Sequence, residues 1–303
     1  MSANRKRYKD AFVRHQRENN PFESEKINSV IHAERVRVIN EYMAKNEAFH
    51  KSHPKLKHPQ NRRYLKDVML TAYGRDSILI GIDIETYEHG SSILEVGLAI
   101  FDPRGQQTSG YPHISTYHLI NEDCLHLSNG YYVPDKRDYF GGKQSWKIPY
   151  ASIVSFIQGV IDYFNGIEGW DAVLVGHAVC GDIDILKDMG VKVPQSWHID
   201  TQRLFALSRT NNSKTNLRVA LKETHILSGN MHNAANDAYY SLQLCLKLGD
   251  PEVRTLLSLD NFLSTYNPNS DNFDETAHQT TISHPIPYNI LSFAFPQPNF
   301  DID

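Results

Sequence analysis

Residues 78–86 read Ile-Leu-Ile-Gly-Ile-Asp-Ile-Glu-Thr, and no other stretch limits the possible folds as much. An apolar run of this length, bounded by polar residues, predicts a strand buried on both faces. Side chains alternate along a strand, so Asp83 and Glu85, spaced i, i+2, point the same way. Two carboxylates on one side of a buried strand end repel each other unless positive charge sits between them. A divalent metal is the usual answer, and hard carboxylate oxygens suit Mg²⁺ or Mn²⁺ rather than zinc. The run therefore predicts a sheet whose central strand delivers acidic groups to a metal.

The neighbouring periodicity builds that sheet. Residues 93–101 and 113–120 read as the next two strands, with a short polar turn at residues 89–92 between the first pair. Strands that follow one another before any helix predict an antiparallel meander. Beyond them, residues 151–164 carry an amphipathic helical pattern. Residues 172–175 form a buried strand, 182–189 a helix, 196–199 a short strand, and 217–223 and 233–248 two more helices. Alternation of that kind predicts parallel pairing and an α/β class. Residues 129–149, rich in Tyr, Gly and charge, read as a loop beside the site.

Three segments are expected: a basic helical N-terminal arm over 1–76, an α/β domain over 77–249, and a partly irregular tail over 250–303. The arm has a loose helical stripe at 24–48, then a linker-like stretch at 50–63 containing Pro54 and Pro59. It holds 17 Lys+Arg against 9 Asp+Glu, a net of +8, while the remainder holds 31 − 17 = 14 basic and 35 − 9 = 26 acidic residues, a net of −12. That asymmetry suggests an arm facing nucleic acid beside an acidic body; the plain alternative is a solvated helix pair. Three widely spaced cysteines, Cys124, Cys180 and Cys245, argue against a disulfide framework or a zinc knuckle. The first 20 residues have no apolar core of a secretory signal, and Asp10 and Glu18 do not suit a mitochondrial presequence. An intracellular protein is expected, in cytoplasm or nucleus rather than mitochondrion.

Two further constellations carry chemistry. In Val175-Gly-His-Ala-Val-Cys-Gly-Asp-Ile-Asp-Ile-Leu186, a strand turns into a helix whose N-terminal dipole favours a carboxylate at Asp182. Asp184 competes with it, but Asp182 leaves Leu186 four residues on to pack inward. His177 reads as a structural histidine or a phosphate contact. In His232-Asn-Ala-Ala-Asn-Asp237, the His stands at the helix entrance and the Asp one turn inside. With an ordinary pKa near 6.5, His232 can accept a proton near neutrality. Ala234, Ala235 and Ala238 would let that helix approach the sheet closely. Gly97 would admit another backbone or a substrate, and Glu95 could hold a water or ligand beside the site.

In this order and spacing, the three segments resemble the exonuclease motifs of the DEDD superfamily of 3′–5′ exonucleases, and His232 resembles the His-type subgroup. Residues 199–201, 216–221 and the helix after Asp237 also match the linking pattern, and the resemblance covers about residues 77–249. Asp83-Ile-Glu-Thr-Tyr-Glu, Ile93-Leu-Glu-Val-Gly, Phe140-Gly-Gly and the His232 motif are similar to a fungal branch related to the yeast "great for full DEAD-box activity" proteins. The resemblance implies an RNase H-like mixed five-stranded sheet flanked by helices. Two Mg²⁺ ions, or Mn²⁺ in their place, would be held by Asp83, Glu85, Asp182 and Asp237, with His232 deprotonating water. Single-stranded 3′ ends of RNA or DNA would be the partner, contacted by Thr86, Tyr87 and His177, and nucleoside 5′-monophosphates the product. Two positions depart from the family pattern. Tyr87-Glu88 stands where Thr-Gly and an apolar wedge are usual, and Ala178 stands where Asn usually follows Gly-His. Two rival readings share these residues: an adaptor that binds nucleic acid through the arm on an RNase H-like scaffold, and an endonuclease acting on RNA–DNA hybrids.

Overall fold

The computed structural model describes residues 29–194, 197–209 and 214–261. The first 28 residues of the expected arm and the tail beyond 261 lie outside the described residues. A six-stranded mixed sheet forms the centre. Strand β1 (Ser77–Thr86) pairs antiparallel with β2 (Ile93–Phe101), and β2 antiparallel with β3 (Ile114–Asn121). Strand β5 (Asp171–Gly176) lies parallel to β1 on its other side, followed by the two-residue β6 (Ile199–Asp200). The sheet order β4-β3-β2-β1-β5-β6, in which β4 is Ser145–Ile148, with β1 central and β2 antiparallel to both its neighbours, is RNase H-like.

The expected five strands become six. The extra one is β4 (Ser145–Ile148), parallel to β3 at the sheet edge and inside the segment read as a loop. Its four residues, Ser-Trp-Lys-Ile, are too few to show a period, so only pairing with β3 defines it. The short strand expected at 196–199 is shifted onto Ile199–Asp200.

Both faces of β1 are covered, as its unbroken apolar run requires. Ile78, Ile80, Ile82 and Ile84 pack with helix α4 (Tyr150–Asn165) and α5 (Cys180–Asp188), through Ile153, Ile157, Val160, Phe164, Ile183 and Leu186. The opposite face, with Leu79, Ala99, Phe101, Val173 and Val175, packs against the long helix α8 (Ala234–Leu248). Two glycines set that approach. A Cβ on Gly97 would lie 2.1 Å from the backbone carbonyl of Ala234, and one on Gly81 would lie 2.8 Å from the carbonyl oxygen of Ala238. The close partner of Gly97 is thus the start of α8, not a substrate.

The described part of the arm belongs to the same core. Helices α1 (Ser29–Lys45), α2 (Ala48–Lys51) and α3 (Pro59–Ala72), with Leu56 in the turn between the last two, place Ile39, Phe49, Leu56, Leu65, Val68 and Met69 in the cluster that contains α8. The stretch read as an irregular linker is helical from Pro59, which occupies the first turn of α3, where its missing N–H costs nothing. Several arm arginines are engaged within the protein. Arg62 donates to the carbonyls of Phe49, Leu56 and Lys57 at 2.8–3.0 Å, Arg75 to those of Gln106 and Ser109, and Arg35 to that of Gln107. Part of the positive charge in this segment therefore serves packing.

At the far end, α9 (Pro251–Leu256) is tied to α1 by a buried network. Arg254 makes two bonds to Asp260 at 2.7 and 2.8 Å, and Tyr42 donates its hydroxyl to the same carboxylate. Burial alone would raise the Asp260 carboxyl, but Arg254, with His53 and Tyr42, brings it down to about 2. Among the described residues, no helix is long and apolar enough to cross a membrane.

Candidate active site

The last residues of β1 carry the first acidic pair. Asp83 stands opposite Gly97 and Glu85 opposite Glu95 on β2, all on the face that α8 covers. A register shift between Glu85 and Thr86 ends the regular ladder there. Asp182 sits in the first turn of α5, where its Oδ1 accepts the N–H of Ile84 at 3.0 Å. Asp237 sits in the first turn of α8, where its Oδ2 accepts the N–H of His232 at 2.9 Å. Asp184, the alternative to Asp182, points into solvent and pairs with Lys187 at 2.8 Å.

All four carboxyls are raised, chiefly by burial. Burial, then the charges of Asp237, Asp182 and Glu85, pushes Asp83 well above the usual carboxylate range. Burial and the charges of Glu95, Asp237 and Asp182 push Glu85 up to about 8. Asp182 and Asp237 rise to about 7, mainly through burial, with the backbone N–H groups of Ile84 and His232 opposing the rise. His232 is lowered by burial and by the charge of Arg218, which favours the neutral imidazole.

This donor set fits a hard divalent ion. The second oxygen of Asp237, Oδ1, is buried and lacks a hydrogen-bond partner. Ligand atoms of Glu85, His232 and Asp237 lie within 4.8 Å of one another. A buried oxygen without a donor, facing other carboxylates that repel it, has its need met by a cation.

A ring of residues supports this centre, and of them sequence reasoning singled out Glu95 alone. Asn233 caps α8 by accepting the N–H of Asn236, and donates to the carbonyls of Lys136 and Arg137. Asn236 accepts the N–H of Gly141 and donates to the carbonyls of Tyr139 and Asn230. Together the two amides fasten residues 136–141 to the helix entrance. Glu95 is buried against His118 Nε2, whose other nitrogen lies 2.7 Å from Ser145 Oγ on β4. The one available signal was the pair of amides flanking Ala234 and Ala235, at a helix start expected to lie close to the sheet. His232 itself has φ +69°, so the chain bends sharply just before the helix.

The expected substrate contacts divide. Tyr87 is partly exposed beside His89, at 5.5 Å between ring centroids, and the Thr86 carbonyl accepts from Asn129. His177 is the exception. Its Nδ1 lies 3.0 Å from Thr201 Oγ1 and its Nε2 2.7 Å from the Thr215 carbonyl, so both nitrogens are taken up inside the protein. That is a structural histidine, tying the turn after β5 to helix α6 (Thr201–Ala206). The neighbouring Ala178 has φ +63°, and its N–H reaches Asp200 Oδ1 at 2.9 Å.

The family model for the C-terminal domain of DNA polymerase III subunit epsilon-like proteins, DEDDh_C, matches residues 78–248. The chain belongs to this DEDDh family. Two relatives in Saccharomyces cerevisiae are the uncharacterized protein YDR514C, 32% identical over 225 residues, and "Good for full DBP5 activity protein 2", 29% identical over 228. Each match covers 66% of this chain, but only 46% and 40% of those relatives' length. An uncharacterized nucleolar protein of Schizosaccharomyces pombe, C2C4.08, is 28% identical over 190 residues, covering 60% of this chain and 70% of its own. Among solved structures, the Neurospora crassa Pan2 catalytic unit (protease and nuclease domain) is similar over 56% of this chain and 26% of that one. The TM-score is 0.37 and the identity 14%.

Proposed function

We propose that this DEDDh chain is a divalent-metal-dependent 3′–5′ exonuclease that releases nucleoside 5′-monophosphates from single-stranded 3′ ends of RNA or DNA. The observation that carries this is the Asp83, Glu85, Asp182 and Asp237 cluster, with a buried oxygen of Asp237 lacking a donor and His232 beside it. The four carboxylates would hold two ions, Mg²⁺ or Mn²⁺. When bound, the ions supply charge for the phosphate, activation of water and stabilisation of the departing 3′ oxygen.

The chain's own residues do the rest. His232, kept neutral by burial and by Arg218, takes the proton of the attacking water. Its backbone N–H is bound to Asp237, so the base and one ligand move as a unit. Asn233 and Asn236 hold that unit against the 136–141 loop. The nucleolar relative supports a place in the nucleus for this chain.

The test is digestion of 5′-labelled single- and double-stranded RNA and DNA in Mg²⁺, Mn²⁺ and EDTA. A ladder shrinking by single nucleotides, abolished by EDTA, is expected. Asp83→Ala and Asp237→Ala should abolish turnover, and His232→Ala should reduce it by roughly 10²–10⁴-fold. Wild-type digestion by Asp237→Ala in Mg²⁺, or cleavage of a circular substrate, would overturn the proposal.

A further inference from the structure

Beyond the carboxylates, one surface is built in a way that the fold alone does not require. Tyr131 and Tyr132 are 77% and 72% exposed, and both lie in the loop after β3. Their rings meet edge to face at 4.5 Å, and each lies about 6 Å from the ring of His89. Leaving two adjacent tyrosines in water forgoes the burial that each could contribute.

The backbone beneath them is nevertheless held tightly. The Glu88 carboxylate accepts the N–H groups of Tyr131, Tyr132 and Val133 at 2.8, 2.7 and 3.0 Å. Buried Asn129 accepts the N–H of Glu88 and donates to the Thr86 carbonyl, both at 2.9 Å. Five hydrogen bonds therefore fix an exposed pair of rings to the segment that follows β1. A rigid backbone carrying exposed aromatic faces is preorganised for a flat ligand, because little entropy remains to be lost.

Position names the ligand. Glu88 is three residues beyond Glu85, and three residues of chain span at most about 10 Å. We propose that Tyr131, Tyr132 and His89 form a stacking platform for unpaired bases of a nucleic-acid strand whose end lies at the carboxylates. The proposal rests on the nuclease reading above and extends it to residues outside the three motifs. The two rings are perpendicular, at 84°, and both are largely exposed, so each offers a face of its own orientation to one base of any identity. Glu88 is then a positioning residue: it touches no base and holds the loop that does.

The experiment measures binding of 5′-fluorescein oligo(dT) and oligo(U) dodecamers by anisotropy, with phosphorothioate linkages to slow their consumption, using the full chain in Mg²⁺. Loss of both rings in Tyr131→Ala/Tyr132→Ala should weaken binding by roughly 5- to 150-fold per stacked base. The Tyr131→Phe/Tyr132→Phe chain should bind like wild type, because stacking needs the ring and not the hydroxyl. Glu88→Gln should weaken binding by a smaller factor with an unchanged melting midpoint. Equal affinity of the double Ala and wild-type chains would overturn the platform while leaving the nuclease proposal standing. Ring-dependent binding by a wild-type chain that cleaves nothing would uphold the platform and remove the nuclease reading. A wild-type chain that binds neither oligonucleotide would overturn the platform, and a protein partner lost in the double Ala chain would then be its replacement.

Discussion

Raising the pH on the metal-stripped chain should destabilise it, and the size of the effect follows from the carboxylate cluster. In the unfolded chain these groups titrate near 4. In the fold, Glu85 is pushed up to about 8 and Asp182 and Asp237 to about 7, chiefly by burial. A group whose pKa is raised on folding contributes stability that is complete below its unfolded value. That contribution is lost as pH climbs through the folded one. For Asp237 alone, the move from 3.8 to about 7 is worth about 4 kcal/mol. The four groups do not add, because the charges of Asp237 and Asp182 help raise Asp83 and Glu85, so about 4 kcal/mol is the scale for the cluster. In a domain of this size, that corresponds to a fall in melting midpoint of roughly 8–16 °C between pH 4.5 and 8.

The assay is a melting series by fluorescence or circular dichroism from pH 4.5 to 8.5, in EDTA and in millimolar Mg²⁺ or Mn²⁺. In EDTA the midpoint should fall through neutrality. With metal the fall should vanish, because binding to the folded state alone opposes it. Asp237→Asn removes one titrating group and should flatten the EDTA curve. A midpoint that stays level or rises from pH 5 to 8 in EDTA would refute the reasoning, and so would an unchanged slope in Asp237→Asn.

Three other substitutions probe the scaffold. Gly97→Ala drives a methyl into the Ala234 backbone and should cost roughly 1–3 kcal/mol. Nuclease activity should drop further than melting does, because the displaced turn carries His232 and Asp237. Ala178→Asn, at φ +63°, should stabilise by about 1 kcal/mol, since Asn tolerates the left-handed region better than Ala; a lower melting midpoint would contradict this. Asp260→Asn leaves buried Arg254 without its ion partner and should cost about 3–5 kcal/mol at neutral pH. Asp260 is depressed on folding, to about 2, so its contribution is present above pH 4 and fades as the pH falls through 2, opposite in sign to the cluster.

What could be read in advance was what chemistry makes compulsory. An apolar run ending in Asp83 and Glu85 can only be a strand delivering charge, and the meander, the parallel return and α8 follow from period and order. Asp182 was separable from Asp184 because one of two nearby carboxylates had to leave room for Leu186. The misses share a cause. Strand β4 is four residues long, and α3 begins at a proline that resembles a break. For His177 the sequence leaves two roles open, structural or ligand contact, and only the positions of Thr201 and Thr215, 24 and 38 residues away, show that its nitrogens are occupied.

The same distinction explains why the residues around the site were silent. An amide or carboxylate that binds backbone groups can bind any backbone, so its sequence context holds no trace of its partner. Asn233 and Asn236 grip carbonyls nearly a hundred residues away, and Glu88 grips N–H groups more than forty away. These bonds join three segments, the end of β1, the 129–141 loop and the start of α8, into one assembly around the carboxylates. A substitution in the loop therefore acts on the helix that holds Asp237 without touching it. Asn236→Ala removes one acceptor and two donated bonds from that assembly at a buried position. By the same reasoning it should lower turnover more than Asp184→Ala, although only Asp184 bears a carboxylate close to the motif.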